Sequence, residues 1–219
     1  DGAATAPAAS DWRNLLFGAS SSGSALEWCE VRYGGTFNGE AIATYGNGVV
    51  FRDVTVRDCQ GAAVHLWQNV PGAIEGCSFD SNDRPLHGIP VAAIPMLLNN
   101  TASGNTAGDV LSMPLLNNLA VTSSANWSPQ NTLNGSGVIV FHRNLDVKFG
   151  ATLTLDPGMI VKWDSGSALE VGDGTLVANG TAASPVVLTS TADDVWGGDS
   201  LNDGPTAGTS GDWEGLWLQ

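Results

Sequence analysis

Positive charge is the scarcest property of this chain. Eight Lys and Arg stand against 22 Asp and Glu, for a formal net charge of -14. With no basic patch to neutralise phosphates, nucleic acid and anionic membranes are poor partners, and metal cations are better ones. Cysteine is nearly as rare. Cys29, Cys59 and Cys77 are odd in number and show no CxxC or Cys/His spacing. That excludes a disulfide framework, and the three are expected to be small buried hydrophobes. No run of 18 apolar residues occurs, so no membrane insertion is expected. There is no initiator Met and no signal peptide, and the chain reads as a mature or excised part of something longer. No stretch of twelve residues has the period of an amphipathic helix.

What is present is apolar residues in short runs, 42% of the chain, separated by Gly, Pro, Asn, Ser and Thr. That composition favours strands and turns. The segments "LEWCEV" (Leu26 to Val31), "FRDVTV" (Phe51 to Val56), "IEGCSF" (Ile74 to Phe79) and "LNNTAS" (Leu98 to Ser103) share the form apolar-x-x-small-x-apolar, and their starts lie 25, 23 and 24 residues apart. The second half has the same grain in "ATLTL", "MIVKW", "ALEV", "TLVA" and "PVVLTS", with Leu153 and Leu176 23 residues apart. Several short strands per fixed period of about 24 residues point to an all-β fold, a right-handed parallel β-helix solenoid. About nine coils, stacked at about 4.8 Å, would make a rod on the order of 40 Å long. Cys29, Val54 and Cys77 would form one internal column, and Val31, Val56 and Phe79 the next. The competing β-sandwich also has many short strands but predicts no such register. Residues 107–134 have no aligned copy and are expected to form an irregular coil or a flank loop.

The stretch "LTLDPGMIVKWDSGSALEVGDGTLVANGTAASPVVLTSTADDVWGGDSLNDG" resembles the right-handed β-helix repeat proteins of bacterial and archaeal cell surfaces. Their phrase covers Leu153 to Leu216 here, and "DWRNLLFGASSSGSALEWCEVRYGG" is similar to what usually follows it. The resemblance implies architecture more than activity, because such modules occur in adhesins and surface-layer proteins. It also bears on the two ends of the chain. Asp11-Trp12 near the start answers Asp212-Trp213 near the end, 201 residues on, so that 1–18 match 203–219. The expectation is a single β-helix domain, 1–219, one unit of about 200 residues in a tandem or head-to-tail repeat. The open sheet edges of such a unit would join it to its neighbours.

Four groups of residues are candidates for chemistry. "DDVWGGDSLNDG" holds Asp193, Asp194, Asp199, Asn202 and Asp203, oxygen donors of the kind Ca2+ takes. Leu201 stands where the usual loop has a ligand, and the simpler alternative is an acidic turn that caps its own backbone. Asp1 would be the remnant of a preceding copy. Among eight Trp, the expected sugar-stacking faces are Trp67, Trp127 and Trp163, whereas Trp12, Trp196, Trp213 and Trp217 recur with the repeat phrase and are expected to pack the flank. Asn99, Asn126, Asn134 and Asn179 head glycosylation sequons. His65, His87 and His142 have no metal spacing, and Arg52 to Asp58 alternate charge as a solvated strand face does. No catalytic motif of a known spacing occurs. The reading is therefore a non-catalytic structural module, extracellular or on a cell surface, with itself as partner. A carbohydrate-binding adhesin is the alternative, and a polysaccharide lyase or hydrolase the third.

Overall fold

The computed structural model describes residues 6–35, 39–113 and 119–219. The chain is a parallel β-solenoid. Coil one is β1 (Leu15–Phe17), β2 (Ala25–Glu27) and β3 (Glu30–Arg32); coil two is β4 (Glu40–Thr44), β5 (Val50–Arg52) and β6 (Thr55–Arg57). Coil three is β7 (Ala62–His65), β8 (Ala73–Glu75) and β9 (Ser78–Asp80); coil four is β10 (Arg84–His87), β11 (Leu97–Leu98) and β12 (Thr101–Ser103). Residues 107–134 hold coil five, with β13 (Leu111–Met113), β14 (Leu119–Val121) and β15 (Ala125–Trp127). Residues 114–118 of that span lie outside the described residues. Coil six is β16 (Val138–Phe141), β17 (Leu145–Val147) and β18 (Thr152–Leu155); coil seven is β19 (Ile160–Trp163), β20 (Ala168–Val171) and β21 (Thr175–Ala178). An eighth level holds β22 (Val187–Ser190) and β23 (Gly215–Leu218). Every ladder between these strands is parallel, which rules out the sandwich.

The predicted columns are present. Val31, Val56, Phe79 and Ala102 are successive ladder partners, as are Leu153 and Leu176. Cys29, Val54 and Cys77 fall in one column between matched strands. Cys59 and Cys77 are buried and Cys29 is half-buried; all three are free thiols. Two expectations are corrected. There are seven three-strand coils and a partial eighth, not nine, because the 24 residues between β22 and β23 make a loop instead of a coil. Eight levels span roughly 35 Å. The fourth repeat also starts one residue earlier than the sequence frame placed it: Leu97, not Leu98, pairs with Ile74, and Ala102 pairs with Phe79.

Corners are made by single left-handed residues. Trp28, Asp53, Gly76 and Asn99 turn the second strand of coils one to four into the third, each with φ between 51° and 63°. The next residue points inward, and its backbone is satisfied from the coil above. In coil four it is Asn100, which is buried; its Oδ1 accepts from Cys77 N at 3.0 Å and its Nδ2 donates to Ile74 O at 2.8 Å. Asn82 and Asn105 repeat the arrangement at the next corner, bonding Cys59 N, Val56 O and Phe79 O. Where coils approach closest only glycine fits: a Cβ on Gly61 (φ 76°) would lie 1.5 Å from the Gly39 carbonyl oxygen.

The solenoid has a seam. The first face comprises two sheets, β1-β4-β7-β10 and β13-β16-β19-β22, which meet at β10 and β13 without joining. A 3-10 turn at Val91–Met96 fills the space beneath β14 and β15, and a second at Pro129–Asn131 lies over β11, where Asn131 Nδ2 donates to Leu97 O at 2.8 Å. The coil cross-section changes at this level, which is why residues 107–134 match no repeat.

Candidate functional site

The acidic turn does not assemble as a cation cage. Asp193 accepts from Thr189 Oγ1 at 2.7 Å and Val195 N at 3.2 Å; Asp194 accepts from Thr206 N at 2.6 Å. Asp199 accepts from the N–H groups of Asp203 and Gly204, at 3.2 and 2.9 Å, and chiefly the Gly204 bond holds its carboxyl below the usual range. Asn202 instead donates to Thr106 O at 3.2 Å. Among the described residues no three His, Cys, Asp or Glu converge as metal ligands. Asp193, Asp194 and Asp199 accept bonds from the loop and its flanking strand, Asp194 Oδ1 is buried without a partner, and the expected calcium set is not brought together among the described residues. The loop faces a cation of the chain itself. Lys162 is fully buried, and its Nζ donates to Asp193 O and Gly198 O, both at 2.8 Å. Burial pushes its pKa down, and the charges of Asp194, Asp193 and Asp199 pull it back up. Asp1 lies outside the described residues.

The three expected sugar platforms separate. Trp127 and Trp163 are buried, with 0% exposure, and stack on either side of Phe141 in the core at 6.0 and 5.9 Å. They offer no face to a sugar, a correction to the sequence reading. Trp213 continues the stack, 4.9 Å from Trp163. Trp67 is 40% exposed and forms an outer ledge with Tyr45 at 5.3 Å and His65 at 4.1 Å. Behind it Glu40 is buried, its Oε2 3.8 Å from His65 Nδ1; burial raises the Glu40 pKa, against a smaller opposing pull from Trp67 and the charge of Arg13. Of the remaining Trp, Trp28 is the most exposed at 82%, whereas Trp12 is part-buried and donates to Arg32 O at 2.6 Å. Asn99, Asn126, Asn134 and Asn179 are all exposed, but both amide atoms of Asn134 bond the Ala102 backbone at 2.9 Å. The alternating charges of Arg52 to Asp58 form an outer ladder: Arg52 pairs with Glu27 at 2.9 Å and Glu75 at 3.4 Å, and Arg57 with Glu30 at 2.5 Å. Such half-exposed pairs are worth about 0–1 kcal/mol each.

One constellation escaped the sequence reading. On the first face, Ser112 in the middle of β13, His142 just past β16 and Asp164 just past β19 belong to three successive coils. Ser112 Oγ lies 2.7 Å from His142 Nε2, and His142 Nδ1 lies 2.6 Å from Asp164 Oδ2. The three side chains line one cavity of about 270 Å³ at the seam, with Arg84, Leu86 and Met113 among its walls. The signal that locates them is the coil register itself. Ladder pairs place Met113 on Phe141 and Phe141 on Trp163. His142 and Asp164, each one residue further along, therefore occupy equivalent corners.

No protein-family model matches the chain, and no curated protein or solved structure matches it.

Proposed function

We propose that this chain is a structural unit of an extracellular, surface-exposed β-solenoid, of the kind its repeat phrase resembles, extended by further coils stacking on its edge strands. The observation that carries this reading is the pair of open edges. Among the described residues β1, β2 and β3 pair on one side only, as do β21, β22 and β23. Next to them Leu16 is 61% exposed and Leu218 70% exposed. An unpaired parallel edge with apolar side chains is a template for another coil of the same geometry. Electron microscopy of the purified chain at rising concentration tests it. Fibres one coil wide are expected; short rods at every concentration would overturn the reading.

A second reading, an adhesive module for polysaccharide, rests on the Trp67 and Tyr45 ledge alone. Polysaccharide-induced quenching that Trp67→Ala removes would support it, and quenching unchanged by that substitution would not.

A further inference from the structure

We propose that Ser112, His142 and Asp164 form an acyl-transfer site on the flank of the solenoid, which hydrolyses esters of short carboxylic acids. The proposal is independent of the stacking role, because the site lies at the seam between coils four and five and not at an edge.

The geometry assigns the roles. Asp164 accepts from His142 Nδ1–H, which fixes the tautomer that leaves Nε2 free to accept. Nε2 then accepts from the Ser112 hydroxyl. A nucleophile, a base within hydrogen-bond reach of it and a third group that orients the base are what activated serine requires, whatever the fold or chain order. The other oxygen of Asp164, Oδ1, is buried without a hydrogen-bond partner among the described residues, and His142 is the ion-pair partner the carboxylate has there. The imidazolium formed during reaction is the charge it would stabilise.

The seam supplies what an ordinary solenoid face lacks. Each strand residue turns its N–H and C=O to the same neighbour, and alternate residues turn opposite ways. Phe141 O accepts from Asp164 N on the β19 side, so Val140 faces β13. Val140 is opposite Ser112, so Leu111 and Met113 bond β16 and Ser112 turns its own N–H toward β10. Among the described residues no ladder joins β13 to β10, so that N–H faces the gap at the seam, where Ser112 lines the cavity. It is placed to donate to a developing oxyanion, as the nucleophile's own amide does in serine hydrolases. Arg84, whose guanidinium pairs with Asp83 at 3.5 Å, lines the same cavity from the β10 side.

The step balances as a two-stage hydrolysis. Ser112 Oγ bonds to the carbonyl carbon of the ester while its proton passes to His142 Nε2. The tetrahedral intermediate collapses, the bond from carbon to the alcohol oxygen breaks, and His142 returns the proton to the departing alcohol. Water then attacks the acyl-Ser112 ester with His142 again taking the proton. The carboxylic acid leaves and the Ser112 hydroxyl is restored. Leu86, Val110 and Met113 give the cavity an apolar wall, and about 270 Å³ admits an acyl group of a few carbons while the alcohol part projects along the open flank. Asp164 is a positioning residue, since it touches His142 and not the ester.

The test uses a fluorophosphonate probe with mass spectrometry to locate the adduct, and hydrolysis of p-nitrophenyl acetate and p-nitrophenyl octanoate. The expected result is an adduct on Ser112 of the wild-type chain and acetate hydrolysis that falls about 1000-fold in Ser112→Ala and His142→Gln, each with unchanged melting temperature. Octanoate should be the poorer substrate. Asp164→Asn should lower the rate and also displace its pH profile, which loss of a purely structural contact would not do. No adduct on Ser112, or hydrolysis equal in wild type and Ser112→Ala, would overturn the proposal. The labelling readout holds even where a variant does not fold, because it needs only the native chain.

Discussion

Lys162 and Gly198 are 36 residues apart in the chain, yet the buried ammonium of one donates to the backbone carbonyl of the other at 2.8 Å. A lysine on the outer side of β19 therefore pins the acidic loop across the first face. With two charge-assisted bonds made, Lys162→Met should lower stability by about 2–4 kcal/mol. It should also open 193–200 to proteolysis before the coils unfold. Added Ca2+ or EDTA should leave the cleavage rate of the wild-type loop unchanged, because among the described residues no three acidic side chains converge on one point. A loop protected equally in Lys162→Met would refute the pin.

The asparagine corners carry comparable weight. Asn100→Ala leaves the buried Cys77 N–H and Ile74 carbonyl without their partner. The expected loss in urea unfolding is about 2–4 kcal/mol. Exposed Asn99 at the same corner tolerates Gly with little change, because its left-handed φ of 53° suits Gly. Equal losses at the two positions would contradict the assignment of Asn100 as the bonded member.

The buried end of the aromatic ledge sets a pH dependence. Burial first, then the charges of His87 and Arg84, push His65 down to about 4 from its ordinary 6.5. The folded value lies below the unfolded one, so the unfolded chain binds more protons in this window. Stability from His65 is then present above about 6.5 and is lost as pH falls toward about 4, on the order of 3 kcal/mol. Glu40, raised by burial, works in the opposite sense: its contribution is present at acid pH and fades as pH rises through its folded value. His65→Gln should flatten the thermal stability profile between pH 6.5 and 4. A profile unchanged in shape would remove His65 from the account.

How far the sequence carries is visible in particular residues. Val31, Val56 and Phe79 announce their column because each strand buries one face and the coil length barely varies between 23 and 25 residues there. The frame slips at Leu97-Leu98 because two leucines precede two asparagines, and only burial shows that Asn100 is the inward one. Trp163 could have been placed inside from Val161, two residues before it on the same strand face, since both are buried. A count of Trp weighs number and not facing. The Ser112 site was hidden for a different reason. Its members come from three coils, and the first of these is the one with no copy elsewhere in the chain, so no register could be drawn to it until the ladders to β16 were known. The matching phrases at 1–18 and 203–219 fall partly outside the described residues, since 1–5 are not described.

The central claim is growth through coil edges, and sedimentation velocity of the purified chain beside a Leu16→Pro variant tests it most directly. Tyr45 N donates to Phe17 O, so Phe17 and Leu15 bond β4 and Leu16 turns its N–H outward from the stack. Proline there removes only a free-edge donor and leaves the internal ladder intact. The account predicts a wild-type sedimentation coefficient that rises with concentration and a Leu16→Pro chain that stays monomeric with an unchanged melting temperature. A wild-type chain that is monomeric throughout, or a variant that associates as well as wild type, would contradict it.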